Sequence, residues 1–427
     1  MSVKKLFVSL IVPCIMCFVL TLLWISQPWA EVGAESINSP EKATEITEIN
    51  EINEVTEVTE VEEVVEEQEI EFDFEEEAAL LMEADTGKML FESNSDARLY
   101  PASLTKIMTA LLVMEALEQK EIHFGDEVYI SRRAASMGGS QLFLSEGDQV
   151  SLKDLFTGLM VASANDAAVA LAEHISGSVE AFADAMNNKA RQLGMTNSNF
   201  VNPNGLHHED HYSSAYDISI MSRELLEYPQ IHDFVTIWMD ENFLEGEIQA
   251  GEVFLSNTNR MVRFYRGCDG LKTGFTDEAG NCIAATAKRG DTRYLAIVLN
   301  VPSADERYEA ARTLLDYGFS RYKSVPVIRK GETITVLPVD RGDKTHISIR
   351  ARDNLTLVTP LNEDIDYQKE IKLPEQMEAP LMNNQVVGEI VAEYAGETKS
   401  VELVAAGEVS RASYFQITSR LLKEWLR

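Results

Sequence analysis

The chain has 427 residues, 70 acids against 37 Lys plus Arg, and a formal net charge of −33. At 45% hydrophobic and 25% charged it can bury a core, which excludes wholesale disorder, and the length fits about two or three domains. So acidic a chain repels phosphate, which excludes a nucleic-acid backbone as its main partner.

Residues 1–34 open with Lys4 and Lys5, continue as an apolar run from Leu6 to about Trp24, and end in small residues at Ala30 and Ala34. A charged start, an apolar core and a small-residue exit read as a secretory signal peptide. The rival is an uncleaved membrane anchor, because the run is nearly long enough to span a bilayer. Either reading puts the bulk of the protein outside the cytoplasm. Two of the four cysteines, Cys14 and Cys17, lie inside this run. The remaining pair makes no disulfide framework, and no Cys/His spacing reads as a zinc site. Residues 35–77 hold 18 acids and one base, with a degenerate triplet in Ile46-Thr47-Glu48, Ile49-Asn50-Glu51 and Ile52-Asn53-Glu54. A period of three matches neither strand nor amphipathic helix, and dense like charge opposes compaction, so this reads as an extended, disordered acidic spacer.

From Ala78 the composition is globular. Ala79–Met82 and Met89–Phe91 flank Asp85-Thr86-Gly87-Lys88, a strand–turn–strand pattern. Pro101 and Ser103 precede apolar residues at Ile107, Met108, Leu111, Leu112, Met114 and Leu117, the spacing of a buried helix. A second helix is predicted over Leu152–Val161 and a third from near Asn165, rich in alanines that permit close packing. Tyr294–Leu299 reads as a buried strand, and the following helix is expected from about Asp305 to Tyr317, ending at Gly318. This mixture predicts an α/β or α+β domain over 78–324. Short alternating runs at 333–336, 346–349, 356–358 and 386–391 then predict a small all-β domain over 325–412. Residues 413–427 place Tyr414, Ile417, Leu421, Leu422, Trp425 and Leu426 near one helical face, with Arg420, Lys423 and Arg427 beside it. Such a helix suits an anionic membrane surface; the alternative is a terminal helix docked on the β domain.

Three short motifs carry the chemistry. Ser103-Leu104-Thr105-Lys106 sets a hydroxyl and an amine three residues apart, on one face of a helix start. A serine at its ordinary pKa needs a base, and a lysine serves only when neutral, a state that desolvation and the positive end of a helix favour. Ser163-Ala164-Asn165 offers a second hydroxyl for proton relay and an amide to hold a carbonyl or position Lys106. Lys272-Thr273-Gly274, followed by Phe275, offers a cation and a hydroxyl for a carboxylate on a strand whose glycine admits close backbone approach.

In this order the three match the set found in penicillin-binding proteins and class A β-lactamases. With Arg98–Lys106, Glu146-Gly147-Asp148, Asn202–Leu206, Tyr212–Ala215 and Asp269–Gly274, the chain resembles the low-molecular-weight penicillin-binding serine D-alanyl-D-alanine carboxypeptidases from about Ala78 to Tyr322. The acidic spacer is not part of that pattern. The resemblance implies a penicillin-binding/serine β-lactamase-like catalytic domain, with an antiparallel sheet flanked by helices, and a peptidoglycan stem pentapeptide as substrate. Ser103 would attack the carbonyl between the two terminal D-alanines and Lys106 would take its proton. Ser163 and Asn165 would line the opposite wall. Lys272 and Thr273, with help from Arg307, would bind the terminal carboxylate, and main-chain N–H groups of Ser103 and Phe275, beside Gly274, would form the oxyanion hole. β-Lactams would acylate the same serine, and no cofactor or metal is implied. Some relatives carry His where this chain has Phe275, so a side-chain role there is lost.

Other readings remain beside this one. A D,D-endopeptidase acting on crosslinks would use the same residues. A non-catalytic wall-binding module is disfavoured by intact Ser103, Lys106 and Lys272. A β-lactamase is disfavoured because no Glu-x-x-Leu-Asn follows the Ser-Ala-Asn helix. His207-His208-Glu209-Asp210-His211 resembles a metal site but sits in a turn-rich stretch without zincin spacing, so a solvated loop is expected. Cys268 and Cys282 flank a hairpin whose turn near Asp277 does not set them opposite each other, so free thiols are expected.

Overall fold

The hairpin expected at the start of the globular part is present: β1 (Ala78–Glu83) pairs antiparallel with β2 (Met89–Ser93). The computed structural model describes residues 78–363 and 365–426. Residues 1–77, read above as a signal or anchor followed by an acidic spacer, lie outside them, as does Arg427. Three more strands, β3 (Cys268–Thr276), β4 (Gly280–Arg289) and β5 (Thr292–Val301), complete an antiparallel sheet in the order β2-β1-β5-β4-β3. β3, the strand bearing Lys-Thr-Gly, is therefore an edge.

β1 and β5 read as unbroken apolar runs because both faces of this sheet are covered. Leu80 and Met82 on β1, with Leu295, Ile297 and Leu299 on β5, join the larger core. Their alternates Ala79, Leu81, Tyr294, Ala296 and Val298 join a second core. The larger core is supplied by α1 (Thr105–Glu118), α2 (Leu152–Val161), α3 (Asn165–Ser176), α4 (Val179–Leu193) and α5 (Ala215–Leu226). The second is closed by α6 (Ala304–Arg321).

α6 does not stop at Gly318. It runs through that residue to Arg321, because Gly318 is a packing position: a Cβ there would stand 2.9 Å from the ring of Tyr294. β6 (Tyr322–Ile328) follows without a linker, three residues ahead of the boundary expected from the alternating texture. It pairs with β7 (Leu355–Pro360). At this joint the buried Glu83 carboxylate accepts hydrogen bonds from Ser324 Oγ (2.9 Å), Thr86 N (2.8 Å) and Thr86 Oγ1 (2.6 Å). The remaining C-terminal strands form a six-stranded sheet around its own core, which includes Ile347, Ile349, Ile390 and Leu403.

The chain ends in α7 (Tyr414–Trp425), opened by a reciprocal capping box between Ser413 and Gln416. Arg420 donates to the main-chain oxygens of Gly342 (2.7 Å) and Asp343, tying the helix to the β domain. Tyr414, Phe415, Leu422, Trp425 and Leu426 are nevertheless exposed, Tyr414 at 87% and Trp425 at 84%. No helix among the described residues is long and apolar enough to cross a membrane.

Candidate active site

Ser103 sits in a single 3₁₀ turn (Ala102–Leu104) that runs straight into α1, so Ser103 and Lys106 share one helical turn. Lys106 is fully buried. Its Nζ lies 2.7 Å from Asn165 Oδ1, 2.7 Å from the main-chain oxygen of Asn204 and 3.0 Å from Ser103 Oγ. The Asn165 amide is oriented unambiguously, because its Nδ2 donates to Gly138 O at 2.7 Å. Two of the three neighbours of Nζ are therefore oxygens that can only accept. In the neutral form the amine can give its two N–H bonds to them and offer its lone pair to the Ser103 hydroxyl. Burial pushes the Lys106 pKa far down, the nearby Lys272 cation pushes it further, and Asp166 opposes both. Desolvation and a neighbouring cation thus both favour the neutral amine.

The wall opposite Ser103 is built by the turn between α2 and α3. Ser163, 4% exposed, adopts a left-handed φ of +62°, a strained setting for a non-glycine residue. Asn165 follows as the first residue of α3, and its N–H donates to Ser140 O at 2.7 Å. The adjacent Asp166 carboxylate accepts from the N–H groups of Leu142 (2.9 Å), Leu144 (3.2 Å) and Ala167 (2.9 Å). These bonds hold the loop 138–144 against the start of α3. Burial raises the Asp166 pKa and the main-chain donors pull it back.

The third wall is the edge strand β3. Lys272 is fully buried, and desolvation, with Arg307 second, brings its pKa down to about 7. Thr273 Oγ1 bonds Thr258 Oγ1 at 2.8 Å. A Cβ on Gly274 would lie 3.1 Å from Ser103 N, Pro101 O and Ala102 Cβ, so the glycine lets the strand run against the serine turn. Phe275 is 58% exposed at the rim. Arg307 is buried, with Nη1 donating to Gly274 O (3.1 Å) and Nη2 to the Tyr308 hydroxyl (3.0 Å). Its guanidinium thus braces the strand, and its positive charge disfavours the Lys272 cation. The structure joins Ser103, Lys106 and Asn165 in one hydrogen-bonded group, sets Gly274 of β3 against the serine turn, and brings Lys272 near enough for its charge to act on Lys106.

Two features escape a reading of the sequence. The first is the Asn204 carbonyl, a main-chain atom that no side-chain pattern marks. The second is His211, which corrects the expectation of a wholly solvated histidine loop. It is 1% exposed, and burial brings its pKa down to about 4. Val201 N–H donates to its Nδ1 (3.1 Å), so the neutral ring carries its proton on Nε2 and donates to Thr105 Oγ1 (2.8 Å). With Thr109 Oγ1 donating to Pro203 O (2.6 Å), this staples α1 to the loop that presents the Asn204 oxygen. Cys268 and Cys282 are buried free thiols, facing Ala287 and Gly274 respectively across the hairpin.

Comparison with known proteins agrees with this geometry. Residues 62–303 match the family model described as D-alanyl-D-alanine carboxypeptidase, and residues 322–411 match that of the penicillin-binding protein 5 C-terminal domain. D-alanyl-D-alanine carboxypeptidase DacF of Bacillus subtilis is 42% identical over 355 residues, 83% of this chain and 90% of that protein. The crystal structure of penicillin-binding protein 5 from Haemophilus influenzae superposes with a TM-score of 0.62 at 32% identity, covering 78% of this chain and 97% of the other. Penicillin-binding protein D2 from Listeria monocytogenes, solved in its ampicillin-bound form, superposes with a TM-score of 0.51 at 32% identity over 57% of this chain and 96% of its own.

Proposed function

We infer the division of labour in the cleft from one premise: the chain belongs to the D-alanyl-D-alanine carboxypeptidase family. It is a serine peptidase of the cell wall, hydrolysing the bond between two terminal D-alanines, and it is a penicillin-binding protein. Ser103 Oγ attacks the carbonyl carbon while Lys106 takes its proton. Main-chain N–H groups of Ser103 and Phe275 receive the developing oxyanion, where one such donor is typically worth about 2.7–4 kcal/mol. The C–N bond breaks as a proton passes from Lys106, through the Ser163 hydroxyl, to the leaving amine. Water then hydrolyses the Ser103 ester, with Lys106 again as base. Asn165 holds both Lys106 and the substrate amide, and Lys272 with Thr273 binds the terminal carboxylate. A β-lactam acylates Ser103 by the same attack on its ring amide. The observation that carries this reading is the buried Lys106 Nζ, 3.0 Å from Ser103 Oγ, where desolvation favours the neutral amine.

Incubation with a stem pentapeptide followed by mass spectrometry is expected to find one lost alanine; an unchanged peptide overturns the assignment. The pH profile adds a check on Lys272. In the free enzyme its cation is lost as pH rises through about 7. Affinity for the carboxylate therefore falls above that value, and kcat/KM declines on the alkaline side. Lys272→Arg keeps its charge throughout and is expected to abolish that limb. An identical alkaline limb in the variant would assign it to another group.

The protein is exported under this reading, with residues 1–34 as the signal, residues 35–77 as a charged spacer and α7 resting on the outer face of the cytoplasmic membrane. The exposed aromatic face of α7 supports this placement. A chain lacking residues 1–34 is expected to sediment with anionic vesicles, and further removal of residues 414–427 to release it. Equal partitioning of the two would locate the anchor elsewhere.

A further inference from the structure

Three chain segments meet at one end of the cleft. Tyr100 precedes the Pro101–Ser103 turn, and the ring of His207 stands edge-on to it with centroids 4.7 Å apart. His207 Nδ1 is in turn 3.9 Å from the carboxylate of Glu278, which lies in the turn linking β3 to β4. Phe275 (58% exposed) and Leu206 (39% exposed) flank this corner with apolar surface. Glu278 is ionised at neutral pH, because its own main-chain N–H, with smaller help from Thr276 and His207, holds its pKa down.

Resting on the reaction assigned above, the direction of the bound peptide is fixed. Its terminal carboxylate lies at Lys272 and Thr273, and its reacting carbonyl at the N–H of Phe275, further along β3. The residues that precede the carbonyl therefore leave toward Thr276 and the turn holding Glu278. In a peptidoglycan stem the residue before the two D-alanines is a diamino acid, whose side-chain amine is a free cation until it is acylated by crosslinking.

We propose that Glu278, with Phe275 and Leu206, forms the subsite for that residue, and that it selects stems whose side-chain amine is free over stems whose amine has been acylated. Phe275 and Leu206 take the aliphatic chain, and the Glu278 carboxylate takes the ammonium. Acylation removes the charge and leaves an amide that the carboxylate does not attract, so the discrimination is a difference between two affinities at one site. The subsite thereby favours carboxypeptidase action on uncrosslinked stems.

Two pentapeptide stems that differ only in acetylation of the side-chain amine test this with the full chain. The free-amine stem is expected to have a kcat/KM about threefold to fivefold higher, the range for a half-exposed ion pair. The preference is expected to shrink at 1 M salt, to vanish in Glu278→Gln and to invert in Glu278→Lys. The ratio between the stems is the readout, so a general loss through misfolding, which lowers both alike, does not mimic the effect. Release of alanine from both stems at equal efficiency, or a preference retained in Glu278→Gln, overturns the subsite alone. Absence of release from either stem overturns the reaction, and the subsite with it.

Discussion

Replacing Lys106 by alanine is expected to reduce acylation by a fluorescent penicillin by about 10²–10⁴-fold, the range for loss of a general base, while the protein still folds. The fold survives because the residues left behind, Asn165 Oδ1 and the Asn204 oxygen, line a polar cavity that a water can fill. Lys106→Arg sharpens the test. A guanidinium can still donate to both oxygens, but it stays protonated and cannot accept the serine proton. It is therefore expected to be as inactive as the alanine variant. Near-normal labelling of Lys106→Arg would mean that the site needs a cation there rather than a base.

Gly205→Ala is expected to damage stability and catalysis together. Gly205 has a φ of +83°, and a Cβ there would fall 1.8 Å from Ala102 O, 2.4 Å from the Ala102 carbonyl carbon and 2.9 Å from Thr105 Oγ1. The left-handed backbone costs a residue with a side chain roughly 1–2 kcal/mol, and forced overpacking typically adds about 1–3 kcal/mol. The atom struck is main chain, so no side-chain rotation relieves the clash. Ala102 must move, and it carries Ser103 with it. A lower denaturation midpoint and a penicillin acylation rate reduced more than about tenfold are expected. A variant that kept both would mean that the Asn202–Gly205 loop moves without disturbing the serine turn.

Much of the architecture was legible because local period and tertiary burial agree. The helix expected over Leu152–Val161 has those bounds, and α3 begins at Asn165. The long apolar run of β5 identifies a strand covered on both faces. Gly318 misled because a glycine near the end of a helical pattern ordinarily marks a stop, whereas here it makes room for Tyr294. The acidic hairpin formed by Met239–Ile248 and Gly251–Ser256 carries exposed acids at Asp240, Glu241, Glu245, Glu247 and Glu252, and so shows little of the alternation that marks a strand. The histidine loop misled because His207 and His208 face solvent while His211, three residues on, is enclosed beside Thr105.

The sequence by itself determined which side chains are available and in what order: Ser103 and Lys106 one helical turn apart, Ser163 with Asn165, and the Lys-Thr-Gly run. It could do so because these spacings are local and survive in a one-dimensional reading. Only the tertiary structure decided that Lys106 is an enclosed amine, favoured in its neutral form, and not a surface cation. That outcome depends on complete burial, on Lys272 arriving from an edge strand distant in the chain, and on two acceptor oxygens, one from the main chain of Asn204, within 2.7 Å of the amine. Burial and through-space charge are properties of the packed chain, and they set protonation where residue identity cannot.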